Sequence, residues 1–185
     1  MTPLELQQRG LLDLIKCRGT PPNDPYLQRV EGSRELAMMR KIAVWWRTFQ
    51  IESQCRLTSR LLKRLGCFEA LVADYFNKNV TSPFIEELSR GFLRSLRLHD
   101  DPLVRAVSQL EYAALNAQAG LPEASEILWD RHPDVACLAI ENGGELPAPE
   151  PDCLYRVRFS GQQPFTLTCT CESTVLASGP GVPSR

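Results

Sequence analysis

Histidine is almost missing from this chain: His99 and His132 are the only two. A self-contained, histidine-rich metal centre is therefore not expected. Paired CxxC spacings are missing as well, although there are seven cysteines, at positions 17, 55, 67, 137, 153, 169 and 171. Odd in number and scattered, they read under reducing conditions as small, buried hydrophobes. No apolar run approaches the ~18 residues of a membrane span. Leu11–Ile15 is interrupted by Asp13 and followed by no cleavage pattern, so it is not a signal peptide. Cytoplasmic location is the expectation. A large charge of one sign is also lacking. The formal net charge of −1 argues against a surface built to coat nucleic acid or anionic lipid. Finally there is no Walker loop, no GxGxxG, no HExxH and no GxSxG elbow. His132, between Asp130 and Asp134, is the best local acid–base cluster, and it also reads as a surface-loop histidine ahead of a proline. No catalytic residue, no metal ligand and no cofactor is assigned to the chain itself.

What is present is a helical pattern with clear punctuation. Thr2-Pro3-Leu4-Glu5 has the capping-box form, and Gly19-Thr20-Pro21-Pro22 stops the helix it opens. Asp24-Pro25 starts a short turn. Ser33 caps the longest helical stretch, which runs to about Leu65. Within it Leu36, Met39, Ile42, Ala43, Trp46 and Phe49 form one stripe, and Leu57, Leu61, Leu62 and Leu65 a second. The stripes are out of phase, which predicts a break near Gln50–Cys55. Shorter helices follow: Cys67–Phe76, one opened by Ser82-Pro83 carrying Phe84, Leu88, Phe92 and Leu96, and one opened by Asp101-Pro102. The last is stopped by Gly120 and Pro122.

Beyond Gly120 the character changes. Glu123–Trp129 reads as another turn or two of helix, Val135–Ile140 as a strand, and Glu141–Pro151 as a loop. Then comes a clean two-residue period. Tyr155, Val157 and Phe159 alternate with Arg156 and Arg158, and Phe165, Leu167, Cys169 and Cys171 alternate with Thr166, Thr168 and Thr170. That pattern is an antiparallel hairpin with one apolar face. The fold class read from the sequence is α+β. Residues 1–120 form an N-terminal helical bundle. Residues 121–172 form a small C-terminal module with an antiparallel sheet of about three strands, near 135–140, 153–159 and 165–171. Residues 173–185 read as a disordered tail.

Two features carry function in this reading. A sheet edge offers unpaired amides and carbonyls to which an extended peptide can add as a further strand. The hairpin offers Tyr155, Val157, Phe165 and Leu167 for apolar packing, Thr166 and Thr168 on an uncharged strand, and Arg156 and Arg158 for acidic side chains of the peptide. The other feature is the basic helix, where Trp45, Trp46 and Arg47 fit a protein interface. The same helix supports an alternative, a nucleic-acid-binding or regulatory module using Arg40, Lys41, Arg47, Arg56, Arg60 and Lys63. Cys169-x-Cys171 leaves a third option, a soft-metal carrier, against the simpler reading of two core-facing residues on an alternating strand.

The segment Ile51–Leu96, followed by Asp101–Leu115 (DPLVRAVSQLEYAAL), resembles the helical N-terminal domain of a family first described as DNA-binding. Its members are encoded beside TIM-barrel metalloenzymes that modify peptides. The resemblance covers residues 30–171 and rests on helix order and on pieces such as Tyr75-Phe76, Ser82-Pro83 and Leu110-Glu111-Tyr112. The compact form with a small β-module, here Val135–Cys171, is similar to the methanobactin-biosynthesis branch of that family. The resemblance implies a non-catalytic subunit of a heteromeric, iron-dependent complex. Iron would belong to the TIM-barrel partner. The complex would use dioxygen to convert cysteines of a precursor peptide into oxazolone and thioamide groups, which later bind copper. This chain would hold the leader of that peptide.

Overall fold

The computed structural model describes residues 2–15, 24–79, 84–121, 125–159 and 167–173. The helix stop at Gly19–Pro22, the Ser82-Pro83 start, the hairpin turn, Phe165, Thr166 and the tail beyond Ser173 lie outside these residues. The chain divides into two compact units, Met1–Gln50 and Ile51–Arg185.

The first unit holds helices α1 (Pro3–Ile15), α2 (Pro25–Glu31) and most of α3 (Arg34–Gln54). Their starts follow the sequence. Glu5 N donates to Thr2 Oγ1 at 3.3 Å while Thr2 N donates to Glu5 Oε2 at 2.7 Å, a reciprocal capping box. Asp24 Oδ1 accepts from Tyr26 N and Leu27 N, and Ser33 Oγ accepts from Leu36 N at 3.1 Å. Leu14, Leu27 and Leu36 form a small core. Arg40 Nε donates to Leu14 O at 2.9 Å, satisfying a carbonyl at the end of α1.

The second unit holds α4 (Arg56–Arg64), α5 (Phe68–Lys78), α6 (Ile85–Ser95), a short 3-10 turn at Leu96–Leu98, α7 (Pro102–Gln118), β1 (Ser125–Trp129), α8 (Pro133–Asn142), β2 (Cys153–Phe159) and β3 (Leu167–Ser173). The expected break falls at Cys55, between α3 and α4. α7 is the central helix, with Leu103, Val104, Ala106, Val107, Tyr112, Ala113 and Ala117 all buried. Around it one core joins Leu61 and Leu62 of α4, Phe68 of α5 and Phe92 of α6 to Ile127, Trp129 and Val157 of the sheet. Tyr75 lies against α6 because residue 91 is glycine: a Cβ there would come within 2.2 Å of the Tyr75 hydroxyl oxygen.

Cys55 precedes α4 without making a side-chain cap. The cap comes from another helix. Glu111 of α7 accepts from Leu57 N at 2.7 Å through Oε1 and from Thr58 N at 2.9 Å through Oε2. Two orphan amides at the α4 start are thus closed by one half-buried carboxylate. Burial pushes the Glu111 carboxyl above its usual range, opposed by the amide hydrogen bonds of Thr58 and Leu57 and by the Arg56 charge.

The sheet is antiparallel throughout, in the order β1-β2-β3. Two expectations are corrected here. Residues 135–140 are not a strand but the middle of α8. Pro133 stands at its first turn with Asp134 behind it, and Pro133, Ala136 and Ile140 are buried at helical spacing. Gly143, at φ 70°, ends the helix in the left-handed conformation. The missing strand is Ser125–Trp129, which had read as helix. Its Ile127 and Trp129 are buried while Glu126 and Leu128 are exposed, a two-residue period over only five residues. The α3 stripe lies largely in solvent. Only Leu36 of it is buried, and Met39, Ile42, Trp46 and Phe49 are exposed. Phe84 is exposed too.

Replacing Glu111 with Ala leaves two amide donors of α4 unpaired and should cost about 1–3 kcal/mol in a denaturant titration, with Glu111→Gln costing less. The raised carboxyl sets a sign for pH. The folded state holds the Glu111 proton more tightly, so this residue's contribution is greatest below its unfolded value and falls as pH rises through the folded value. The stability gap between wild type and Glu111→Gln should narrow over that rise.

Candidate functional site

Strand register sorts the hairpin residues. On the core-facing side Ile127, Val157 and Cys169 form one row, and Trp129, Tyr155 and Cys171 the next. On the outer side the rows are Glu126–Arg158–Thr168 and Leu128–Arg156–Thr170. β2 is therefore the central strand. Tyr155, Arg156, Val157 and Arg158 all lie on it, with both of its edges already paired. β3 is an outer strand of the described sheet, carrying Leu167 and Thr168. The side chains of Thr168, Cys169, Thr170 and Cys171 are exposed, and none carries a charge at neutral pH.

The two arginines have an internal partner. Arg156 Nη1 pairs with Glu126 Oε1, and Arg158 Nε lies 3.2 Å from Glu126 Oε2. Glu126 carries no sequence signal of this role, since its segment reads as helix until β2 is placed beside it. Tyr155 is half-buried; its hydroxyl donates to Glu150 Oε2 at 2.8 Å, and the His132 ring meets it edge-on at 5.2 Å. The hydrogen bond to Glu150 raises the tyrosine above its ordinary range. Asp130 has a partner of its own. It binds Arg131, which is buried and also donates to Pro147 O at 2.9 Å.

The cysteines are not all free. Cys153 and Cys171 form a disulfide between β2 and β3, with their Cα atoms 6.2 Å apart. This corrects the expectation of seven reduced thiols. Cys55, Cys67, Cys137 and Cys169 are free. Cys169 faces the core side of the sheet but is exposed, because the core ends under Val157. Among the described residues no group of three or more His, Cys, Asp and Glu side chains is placed to hold a metal ion.

On α3, Trp45 and Trp46 are 63% and 51% exposed and stack around Phe49, with ring centroids 5.9 and 5.8 Å from it. Arg47 is half-buried, on another side of the helix from Trp45. Much of the basic character of α3 and α4 serves internal needs. Arg60 Nη1 donates to Glu141 O at 2.9 Å and Arg64 donates to Gly144 O, at the C-terminal end of α8. Lys63 pairs with Glu52 and lies over the Phe68 ring. Those contacts, with that of Arg40, occupy a good part of the set that a phosphate-binding helix would need.

Glu126→Gln removes the partner shared by Arg156 and Arg158. The expected loss is about 1 kcal/mol or less for a partly exposed cluster, and it should shrink as salt is raised from low to high concentration. Arg156→Glu with Arg158→Glu sets three carboxylates side by side and should destabilise the sheet more than Glu126→Gln does. Both are read by thermal melts at two ionic strengths. Compared with protein-family models, curated proteins and solved structures, the chain has no match in any of the three.

Proposed function

We propose that this chain is a peptide-recognising, non-catalytic subunit of a peptide-modifying enzyme complex. In this reading an extended segment of a precursor peptide adds to the outer edge of β3. The ladder's backbone bonds give affinity, and alternate side chains meet Thr168 and Thr170 on one face and Cys169 on the other. The observation that carries the reading is the state of that edge. β3 is paired on one side only in the described sheet, and its exposed side chains from Thr168 to Cys171 include none of the lysines that commonly guard a free edge. Arg156 and Arg158 also serve the sheet itself. They anchor β2 to β1 through Glu126 and stiffen the sheet that the peptide joins.

The exposed Trp45–Trp46–Phe49 group is assigned to the enzyme subunit. Its three rings lie against one another in solvent, and large aromatics are enriched where proteins meet. The resemblance of Ile51–Leu115 to the helical subunits encoded beside TIM-barrel metalloenzymes names that partner as an iron enzyme. It names the reaction as conversion of peptide cysteines to oxazolone and thioamide groups in methanobactin formation. The iron and the chemistry belong to the partner in this reading.

Co-expression with a neighbouring TIM-barrel metalloenzyme, then size-exclusion chromatography, tests the subunit. A stoichiometric, iron-loaded complex that Trp45→Ala with Trp46→Ala weakens at least tenfold is the expected result. A monomer indifferent to every such enzyme would dispose of the reading. Strand addition is tested by calorimetry with N-methylated peptides. Each methyl that blocks a ladder bond should weaken binding about fivefold, the equivalent of ~1 kcal/mol. Binding unchanged by methylation at every position would show that no strand is added.

A further inference from the structure

The disulfide stands in an unusual place for a structural bond. It lies on the outer strand of the sheet, with Cys171 exposed on β3 and Cys153 half-buried on β2. Bonds meant to last are generally sheltered, whereas exposed ones exchange with thiols. Cys153 does not pair directly across from Cys171, which faces Tyr155; the link runs diagonally between the strands. β2 and β3 pair along the whole span from Cys153–Ser173 to Phe159–Leu167, and the bond lies across that ladder.

The chain's own described thiols are poorly suited to attack it. Burial raises Cys55 far above the ordinary thiol range and Cys137 to about 11, with Asp134 and Glu141 adding to the effect at Cys137. Burial also raises Cys67, and at Cys169, the next core-side position to Cys171, burial and then the Asp134 charge do the same. The thiolate is the attacking species, so burial works against each of these groups as an attacker.

We propose that the Cys153–Cys171 disulfide is a thiol-exchange site that captures an external thiol on Cys171 and releases Cys153. The external thiol gives up its proton, and its sulfur attacks Cys171 Sγ from beyond the outer edge of β3. A new S–S bond forms to Cys171 as the Cys171–Cys153 bond breaks. The electron pair leaves on Cys153 Sγ, which takes up a proton. The products are a mixed disulfide on Cys171 and a free Cys153 thiol, with no net oxidant or reductant consumed. Attack by Cys153 on the mixed disulfide reverses the capture. The ligand class is an alkyl thiol, either a free one such as glutathione or a cysteine side chain of a peptide. This site does not depend on the peptide-subunit reading.

The test uses the full chain purified without added thiol. Alkylation under denaturing conditions, then digestion and mass spectrometry, should find Cys153 and Cys171 blocked until reduction. After native incubation with glutathione and an acid quench, glutathione should appear on Cys171 and the alkyl label on Cys153. Cys169→Ser should give the same products, and Cys171→Ser should give none. A parallel arm uses a short cysteine-containing peptide. An adduct on Cys171 from either thiol supports the site, and the faster arm identifies the source. Cys153 and Cys171 already alkylated at the start would overturn the proposal. So would no adduct from either thiol, an adduct chiefly on Cys153 or Cys169, or loss of the adduct in Cys169→Ser.

Discussion

The larger unit hangs on one carboxylate placed between two backbone amides. Glu111 sits on α7, at the centre of the core, and reaches across to the start of α4, where Cys55 contributes no side-chain cap. A charge in that position is costly to bury, and the raised carboxyl registers the cost. It is tolerated because two donors and the positive end of a helix meet it there. Fixing α4 fixes more than α4. Its Arg60 and Arg64 hold carbonyls at the end of α8, and Leu61 and Leu62 enter the core shared with Ile127 and Trp129. The line of support from α7 through α4 thus reaches the sheet by way of α8, while α7 also packs directly under β1.

That support ends before β3. Val157 is the outermost described core-side residue of its row to be buried, and Cys169 beside it is not. The sheet therefore has a secured half and an overhanging half. On the secured half, ionic and aromatic contacts fill the available partners: Glu126 with two arginines, Tyr155 with Glu150 and His132. On the overhang the side chains of Thr168, Cys169, Thr170 and Cys171 are small and lie in solvent. An arrangement of this kind separates rigidity from availability, which is what a strand that accepts another strand requires.

Much of the helical body was legible in the sequence because helix ends are written in local chemistry. Thr2, Asp24, Ser33 and Asp101 each stand where their side-chain oxygens find the amides expected of them. The same grammar was present at His132-Pro133-Asp134, and reading it there would have made α8 a helix; the apolar run Val135–Ile140 outweighed it. β1 was hidden for a different reason. Five residues give too short a period, and Glu126, Leu128 and Trp129 are compatible with a helix until a partner strand is known. The hairpin itself was plain, but which of its strands was central was not, since that depends on β1. Partners distant in sequence, such as Glu111 with α4 or Cys153 with Cys171, leave no local trace. The α3 stripe shows the reverse limit. A periodic apolar face announces that something will cover it, and not whether that cover comes from the same chain.

The alternation of Thr168, Cys169, Thr170 and Cys171 has a bearing on alignment. Threonine and cysteine are close in size, and neither face of this strand is strongly apolar along those positions. Sliding β3 by one residue would exchange one small side chain for another, so hydrophobic burial discriminates weakly between alignments. A covalent link between Cys153 and Cys171 admits only one of them. The bond is thus a frame marker for the strand, choosing among pairings that the side chains alone would leave nearly equal in energy.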